Sequence, residues 1–247
     1  DITKLKEYYD ADIIHLHWVN KGFFNIADID KINKPIVWTL RDMWAFTGGC
    51  HYSLECKKFI SQCGNCPQLK SNFKFDLSYF IQKRKKKYLS NKIYFVTVSD
   101  WLTNAAQKSS LLKKFKIKTM NNHIDVKNFF PENKKNSRNY LNLPHNKKII
   151  LFGAQSIATP YKGYKYFLRS LDYLDKSNFL LLLFGSFWNY RELEEHGINY
   201  KSFGYVNNLK KLRHIYSSAD VFAISSTQDA FPKTFAEAML CETPVVS

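Results

Sequence analysis

Long apolar runs are missing from this 247-residue sequence. The longest, residues 179–184, has the length of a strand and falls far short of the ~18–20 apolar residues of a membrane span. Glycine (9) and proline (7) are scarce, which excludes collagen-like and other low-complexity chains. Acidic residues are few, 21 against 37 Lys and Arg, for a net charge of +16. No apolar leader is present: the chain opens Asp1-Ile2-Thr3-Lys4, without Met, and stops at Val245-Val246-Ser247 in a strand-like run. A fragment of a longer protein is therefore expected. What is present excludes disorder, because 45% hydrophobic and 16% aromatic residues supply the apolar surface that disordered chains lack. The length suits one large domain or two ordinary ones.

A strongly basic chain implies an acidic partner: nucleic acid, anionic lipid or a phosphorylated substrate. The densest knot is Lys83-Arg84-Lys85-Lys86-Lys87, in an amphipathic stretch with Tyr79, Phe80 and Tyr88. It reads either as a solvated helix face or as a membrane-surface contact. Nucleic acid is not expected, because the aromatics fall at core-like strand positions and form no RNA-binding signature.

Four of the five cysteines, Cys50, Cys56, Cys63 and Cys66, lie close together; Cys241 stands alone and reads as a small core residue. Without a secretion signal, disulfides are disfavoured. The C-x5-C-x6-C-x2-C spacing suits thiolate ligands of a structural zinc, with His51 as a spare ligand. Free buried thiols and a disulfide pair are the alternatives. In each case the cysteines would staple a long irregular loop, residues 41–72, and four thiolates would leave no open position for catalysis.

Short apolar or β-branched runs alternate with helical ones. Strands are expected at residues 12–18, 35–40, 93–99, 117–121, 148–153, 179–185, 200–203 and 221–225. The unbroken runs Ile149-Ile150-Leu151-Phe152 and Leu180-Leu181-Leu182-Leu183 suit parallel strands covered on both faces. Phe167, Leu168, Leu171 and Leu174 mark one helix face, and Leu209, Leu212, Ile215 and Tyr216 another. Residues 101–114, after a Ser99-Asp100 cap, read as a third helix. This is an open α/β architecture. Residues 126–146, with Pro131, Pro144 and many Asn and Lys, read as a linker. The domains are then 1–125 and 147–247.

Ligands of such sheets bind beyond the carboxyl ends of the strands. After residues 148–153 comes Tyr161-Lys162-Gly163, where a lysine at a helix start could meet a phosphate. Phe184-Gly185-Ser186 is a turn facing the same side. After residues 221–225 comes the stretch holding Asp229 and Glu237, with Thr234 a candidate cap for the helix that carries Glu237. Two carboxylates suit vicinal sugar hydroxyls, and the N–H groups of a helix start suit a diphosphate. Two ordinary surface acids are the plain alternative.

The stretch from Asp229 to Glu237, followed by Ala238-Met239-Leu240-Cys241-Glu242-Thr243-Pro244-Val245-Val246, resembles the E-x7-E signature of GT-B glycosyltransferases, in particular retaining family 4. Asn121-Asn122-His123-Ile124-Asp125 with Phe130-Pro131 is similar to the family's crossover, Lys162-Gly163 to its phosphate lysine, and Phe203-Gly204-Tyr205-Val206 to the strand end near the base. The stretch from Trp38 to Tyr52, with Cys63-Gly64-Asn65-Cys66-Pro67, resembles a polysaccharide-biosynthesis subgroup. Asp229 stands where the family has Glu, Arg41 where the subgroup has His, and Glu242 where the signature has Gly.

The resemblance implies two Rossmann-like domains whose parallel sheets face across a cleft, both incomplete here. It implies transfer of a hexose from a nucleotide-diphosphate sugar to a lipid-linked or oligosaccharide acceptor in cell-surface polysaccharide biosynthesis, without a catalytic metal. Glu237 would hold the ribose and Asp229 the donor sugar. Phe231, Pro232, Lys233 and Thr234 would lie beside sugar and diphosphate, and Tyr205 near the base. Lys162 would neutralise the leaving diphosphate, and Arg41, Asp42 and His17 would serve the acceptor. The expected location is cytoplasmic, peripheral to the inner face of the plasma membrane through contact with anionic lipid. The competing expectation is a degenerate or truncated relative that acts as a non-catalytic, zinc-stapled binding module.

Overall fold

The computed structural model describes residues 1–186 and 189–247. They form two compact units, Asp1–Asn122 and His123–Ser247. In the first, α1 (Lys6–Asp10) precedes β1 (Ile14–His17), β2 (Ile36–Leu40), α2 (Leu77–Tyr88), β3 (Ile93–Thr97), α3 (Asp100–Lys108) and β4 (Ile117–Thr119). The strands pair in the order β1-β2-β3-β4, all parallel, with Ile36 between Ile14 and Ile93. Ile29, Ile32, Ile36 and Leu102 are fully buried, and Trp38 stacks on Phe95 with ring centroids 5.9 Å apart. Ser99 caps α3 as expected, its Oγ accepting from the Leu102 N–H at 3.3 Å. The helix is shorter than expected because the backbone turns extended at Ser109, whose hydroxyl bonds back to the Ala106 carbonyl at 2.6 Å. Between β2 and α2 the described regular elements are 3-10 turns at Trp44–Phe46, Lys58–Ile60 and Pro67–Leu69.

The second unit runs α4 (Lys134–Tyr140), β5 (Lys148–Ser156), α5 (Tyr164–Leu171), β6 (Phe179–Ser186), α6 (Tyr190–Glu195), β7 (Tyr200–Ser202), α7 (Leu209–Ser218), β8 (Val221–Ala223), α8 (Lys233–Leu240) and β9 (Val245–Val246). Its sheet is parallel with order β7-β6-β5-β8-β9. Leu182 belongs to one buried cluster, with Leu151, Tyr216 and Phe222. Its neighbours Leu181 and Leu183 belong to another, with Phe167 and Leu168. Successive side chains of a strand point to opposite faces, so an unbroken leucine run requires cover on both. The chain leaves β5 for β6 and β7, then crosses back to β8 and β9. The order therefore reverses between β5 and β8, and a crevice opens outside their carboxyl ends.

Residues 126–146 are not a free linker. They belong to the second unit and contain α4, which Asn133 caps through its Oδ1 and the Asn136 N–H at 3.0 Å. The helix stops where Asn142 takes the left-handed conformation (φ 51) and the Leu143 N–H returns to the Arg138 carbonyl at 2.9 Å. Arg138 is buried. It donates to the carbonyls of Ser218 (3.1 Å) and Lys147 (3.2 Å) and pairs with Asp220 at 2.7 Å. A polar anchor thus does here what an apolar stripe does elsewhere, and hydropathy does not reveal it. Glu242, in the glycine position of the signature, takes φ 57 just after α8. The N–H groups of Glu242 and Thr243 close the helix end onto Met239 and Ala238 (3.0 and 2.9 Å).

Replacing Arg138 with Ala leaves Asp220 short of its charge partner and is expected to destabilise the second unit by about 3–5 kcal/mol in a urea titration. Burial opposes the Asp220 charge, but the Ile149 N–H, Lys134 and Arg138 outweigh it and hold the carboxyl below its ordinary range. A depressed folded-state pKa means that this contribution is complete at neutral pH and is lost as pH falls below about 4. The wild-type urea midpoint should fall through that window, and that of Asp220→Asn should fall less.

Candidate functional site

In the second unit the site forms at the reversal point. Gly163 (φ 71) ends the Pro160–Lys162 turn ahead of α5. A Cβ there would lie 1.8 Å from the Ser225 carbonyl oxygen, so only glycine permits this approach. The Ser225 hydroxyl lies 2.8 Å from the Gly163 carbonyl oxygen and 3.1 Å from that of Lys162. The Thr227 N–H donates to the Tyr161 carbonyl at 2.9 Å. The turn after β5 is thereby fastened to the loop after β8. Lys162 Nζ then reaches Asp229 Oδ2 at 2.6 Å, with both side chains largely buried. The other Asp229 oxygen accepts from the Phe231 N–H at 3.1 Å. Lys162, Ser225, Ser226, Pro232 and Thr234 line one small cleft with Gly153.

Thr234 is not the cap expected. Pro232 occupies that position without a side-chain bond, and Lys233 and Thr234 are the first two residues of α8. Their N–H groups belong to the first turn, where helix N–H groups lack intrahelical acceptors and the helix end is positively polarised. Glu237 lies farther along α8, where its Oε2 accepts from the Tyr216 hydroxyl at 2.9 Å. Burial raises its pKa, while Tyr216 and Lys233 act in the other direction. The two acids thus have different partners, Lys162 and Tyr216. Phe231 is half-buried between Asp229 and Pro232. Tyr205 is exposed just beyond β7.

In the first unit, Asp42 is buried and Arg41 exposed. Arg41 donates to Asn122 Oδ1 at 2.9 Å and does not join Asp42. Asp42 Oδ2 instead accepts from His51 Nδ1 (2.7 Å) and Trp18 Nε1 (3.0 Å), and Oδ1 accepts from the Trp44 N–H (2.8 Å). His51, expected as a spare metal ligand, therefore has its Nδ1 committed to a carboxylate. Trp18 holds φ 35 directly after β1 and stacks on His51, centroids 5.8 Å apart. His17 lies 3.3 Å from His15, which bonds Thr39 Oγ1 at 2.8 Å. Burial, then His15 and Arg41, lower the pKa of His17. These groups gather at the carboxyl ends of β1 and β2.

Cys50, Cys56, Cys63 and Cys66 are free thiols that line one cavity of ≈ 300 Å³. Burial pushes the Cys63 thiol up to about 11. Among the described residues no group of three or more His, Cys, Asp or Glu stands in metal-holding geometry. Lys85 does not share the solvated or membrane-facing role expected of its knot: it is buried, while Lys83, Arg84, Lys86 and Lys87 are exposed.

Residues 133–247 match the family described as glycosyl transferases group 1. That span contains Lys162, Asp229 and Glu237. WcaC of Escherichia coli (strain K12), named for colanic acid biosynthesis and glycosyl transfer, is 24% identical over 95% of this chain and 58% of its own length. Among solved structures, sucrose-phosphate synthase from Thermosynechococcus elongatus superposes with a TM-score of 0.71 at 19% identity, over 96% of this chain and 56% of that one. Anabaena HepE, in complex with UDP and glucose, gives 0.66 at 15%, over 98% and 60%. The chain thus spans somewhat more than half the length of these proteins. The likeness shows the fold: α/β, with two parallel sheets of the GT-B type. Ser225, Trp18 and the bond of His51 to Asp42 were not legible in the sequence, since nothing in spacing tells which hydroxyl will pin a turn 62 residues away.

Gly163→Ala forces a Cβ into the Ser225 carbonyl and an unfavourable φ. It is expected to cost more than about 1 kcal/mol of second-unit stability, read as a lowered melting temperature.

Proposed function

We propose that this chain transfers a hexose, with retention, from a nucleotide-diphosphate sugar to a lipid-linked or oligosaccharide acceptor in the building of cell-surface polysaccharide. The observation that carries this reading is the Lys162–Asp229 pair, 2.6 Å apart at the sheet's reversal point and beside the first turn of α8. The group 1 match over the same residues supports it, as do WcaC's name and the UDP and glucose in HepE.

Without donor, Lys162 and Asp229 satisfy each other. A donor's diphosphate accepts hydrogen bonds from the remaining ammonium N–H groups of Lys162 and from the first-turn N–H groups of α8, while Asp229 accepts from sugar hydroxyls. As the glycosidic bond breaks, negative charge grows on the leaving diphosphate. A fixed cation and helix N-terminus then stabilise the transition state more than the ground state. Glu237 holds the ribose hydroxyls; Phe231, Pro232, Lys233 and Thr234 flank sugar and diphosphate; Tyr205 lies near the base. Arg41, Asp42 and His17 serve the acceptor, joined by His51 through its bond to Asp42.

The acceptor and the expected location imply contact with a membrane surface. No helix among the described residues is long and apolar enough to cross one. Phe73 (78% exposed), Phe75 (60%), Leu77 (61%) and Phe80 (54%) follow one another into α2. The Phe75 and Tyr79 rings meet at 4.9 Å, and those of Tyr79 and Phe80 at 5.3 Å. Exposed Lys70, Lys74, Lys83, Lys86 and Lys87 accompany them. Apolar side chains among cations suit the headgroup region of an anionic bilayer.

Calorimetry with UDP, GDP and ADP is expected to detect one nucleotide. Lys162→Ala and Glu237→Ala should each weaken it by about 1–3 kcal/mol, the range for a charge-assisted hydrogen bond. Silence at millimolar concentration with all three overturns the donor assignment; nucleotide binding without sugar transfer favours a binding module. Sedimentation with phosphatidylglycerol vesicles should bring the chain down, and Phe73→Ser with Phe75→Ser should leave it in the supernatant. Equal affinity for neutral phosphatidylcholine vesicles contradicts the anionic-surface assignment.

A further inference from the structure

Residues 41–76 have few regular hydrogen bonds, yet two arms of this segment converge closely. One arm is the knuckle Cys63-Gly64-Asn65-Cys66, with Gly64 at φ 134 and Asn65 at φ 45. A Cβ on Gly64 would lie 2.1 Å from the Lys74 carbonyl oxygen. The Asn65 N–H donates to the Phe73 carbonyl at 2.8 Å, and Lys58 Nζ donates to the carbonyls of Gly64 (3.0 Å) and Asn65 (2.7 Å). α2 and its cap Asp76 hold the two cysteine backbones: the Cys63 N–H donates to Gln82 Oε1 at 2.6 Å, and the Cys66 N–H to Asp76 Oδ2 at 2.8 Å. The other arm is Gly48-Gly49-Cys50. A Cβ on Gly48 would stand 2.9 Å from that of Cys63, so the arms touch without room for a side chain. Thr47 Oγ1 fixes the Cys50 carbonyl at 2.7 Å. Cys56 completes the lining of the shared cavity.

Beside this cavity lies a buried lysine without a carboxylate partner among the described residues. The Lys85 ammonium is buried and donates to the carbonyls of Trp44 and, at 3.0 Å, Thr47. It sits 3.6 Å above the Trp44 ring. Among the described residues no carboxylate lies within ion-pair distance of it; burial lowers its pKa to about 7, while Cys50, Asp42 and Cys63 act in the other direction. A buried cation next to neutral thiols is costly; next to thiolates it is compensated.

We propose that Cys50, Cys56, Cys63 and Cys66 hold one structural zinc ion, with Lys85 offsetting the charge of the filled site. Four thiols and Zn²⁺ give a tetrathiolate of net charge −2 and release four protons to solvent. The thiols are not in ligating geometry as they stand, so loading turns the side chains inward into the cavity they share. The ion closes a loop whose two arms otherwise meet through glycine backbones. It also steadies the neighbouring pair, because His51 follows Cys50 directly and its carbonyl accepts from the Met43 N–H at 2.9 Å, next to Asp42.

The test is metal content, which is independent of any transferase activity. The chain purified without chelator should carry about one zinc by elemental analysis. Cobalt exchanged for zinc should show the intense absorption bands of tetrahedral thiolate ligation. Cys241→Ala should keep the zinc, and Cys63→Ser with Cys66→Ser should reduce it to a trace. Should that double variant fail to fold, the cobalt spectrum of the wild-type chain still decides. Absence of zinc together with no cobalt–thiolate bands overturns the proposal. So do iron with acid-labile sulfide, or an intact mass short by the hydrogens of a disulfide.

Discussion

A single hydroxyl governs the arrangement of the second unit's site. Ser225, just after β8, bonds the carbonyls at the Lys162–Gly163 turn. β5 and β8 pair directly, and this tie extends their contact into the loops that leave them. With it, Lys162 has a fixed origin from which to reach Asp229. The tie is short because Gly163 carries no side chain, and it recurs one step farther on, where Thr227 meets Tyr161. Beneath it lies a sheet packed on both faces, so the strand ends that carry these loops are rigid.

The first unit relies more on polar anchors. Asp42 organises Trp18, Trp44 and His51; Asp76 caps α2 through the Tyr79 N–H and also holds the Cys66 N–H; Lys85 gathers carbonyls from the loop. Each of these ionisable side chains satisfies several polar groups of the irregular loop. Burial opposes the Asp76 charge, but hydrogen bonds from Ser78, Cys66 and Tyr79 prevail and hold its carboxyl well below the usual carboxylate range. An irregular segment can keep one shape in this way, without the periodic hydrogen bonding of a helix or sheet.

This explains what could be read from residue order. Strands such as Leu180-Leu181-Leu182-Leu183 announce themselves, because a run that must be covered on both faces is apolar at every step. Lys162 and Asp229 were candidates by their loop positions, and the fold brings them within 2.6 Å of each other; that Glu237 meets Tyr216 instead was not readable from spacing. Residues 126–146 were not legible either, since Arg138 holds them by hydrogen bonds that composition reads as solvent-facing charge. Lys85 was misread for the same reason: its neighbours Arg84 and Lys86 are exposed, and the side that faces Trp44 is decided by helix phase and not by residue type. Asp42 was named as a candidate, but its partner His51 was assigned to the cysteines beside it.

The close seat of Gly163 has one more consequence. With backbone pressed against backbone, the turn has no slack, so any change of partner by Lys162 must occur in the side chain's own torsions. Under the proposed function, the ammonium meets an incoming anion by rotation within its own stem, while the turn backbone stays against the Ser225 carbonyl.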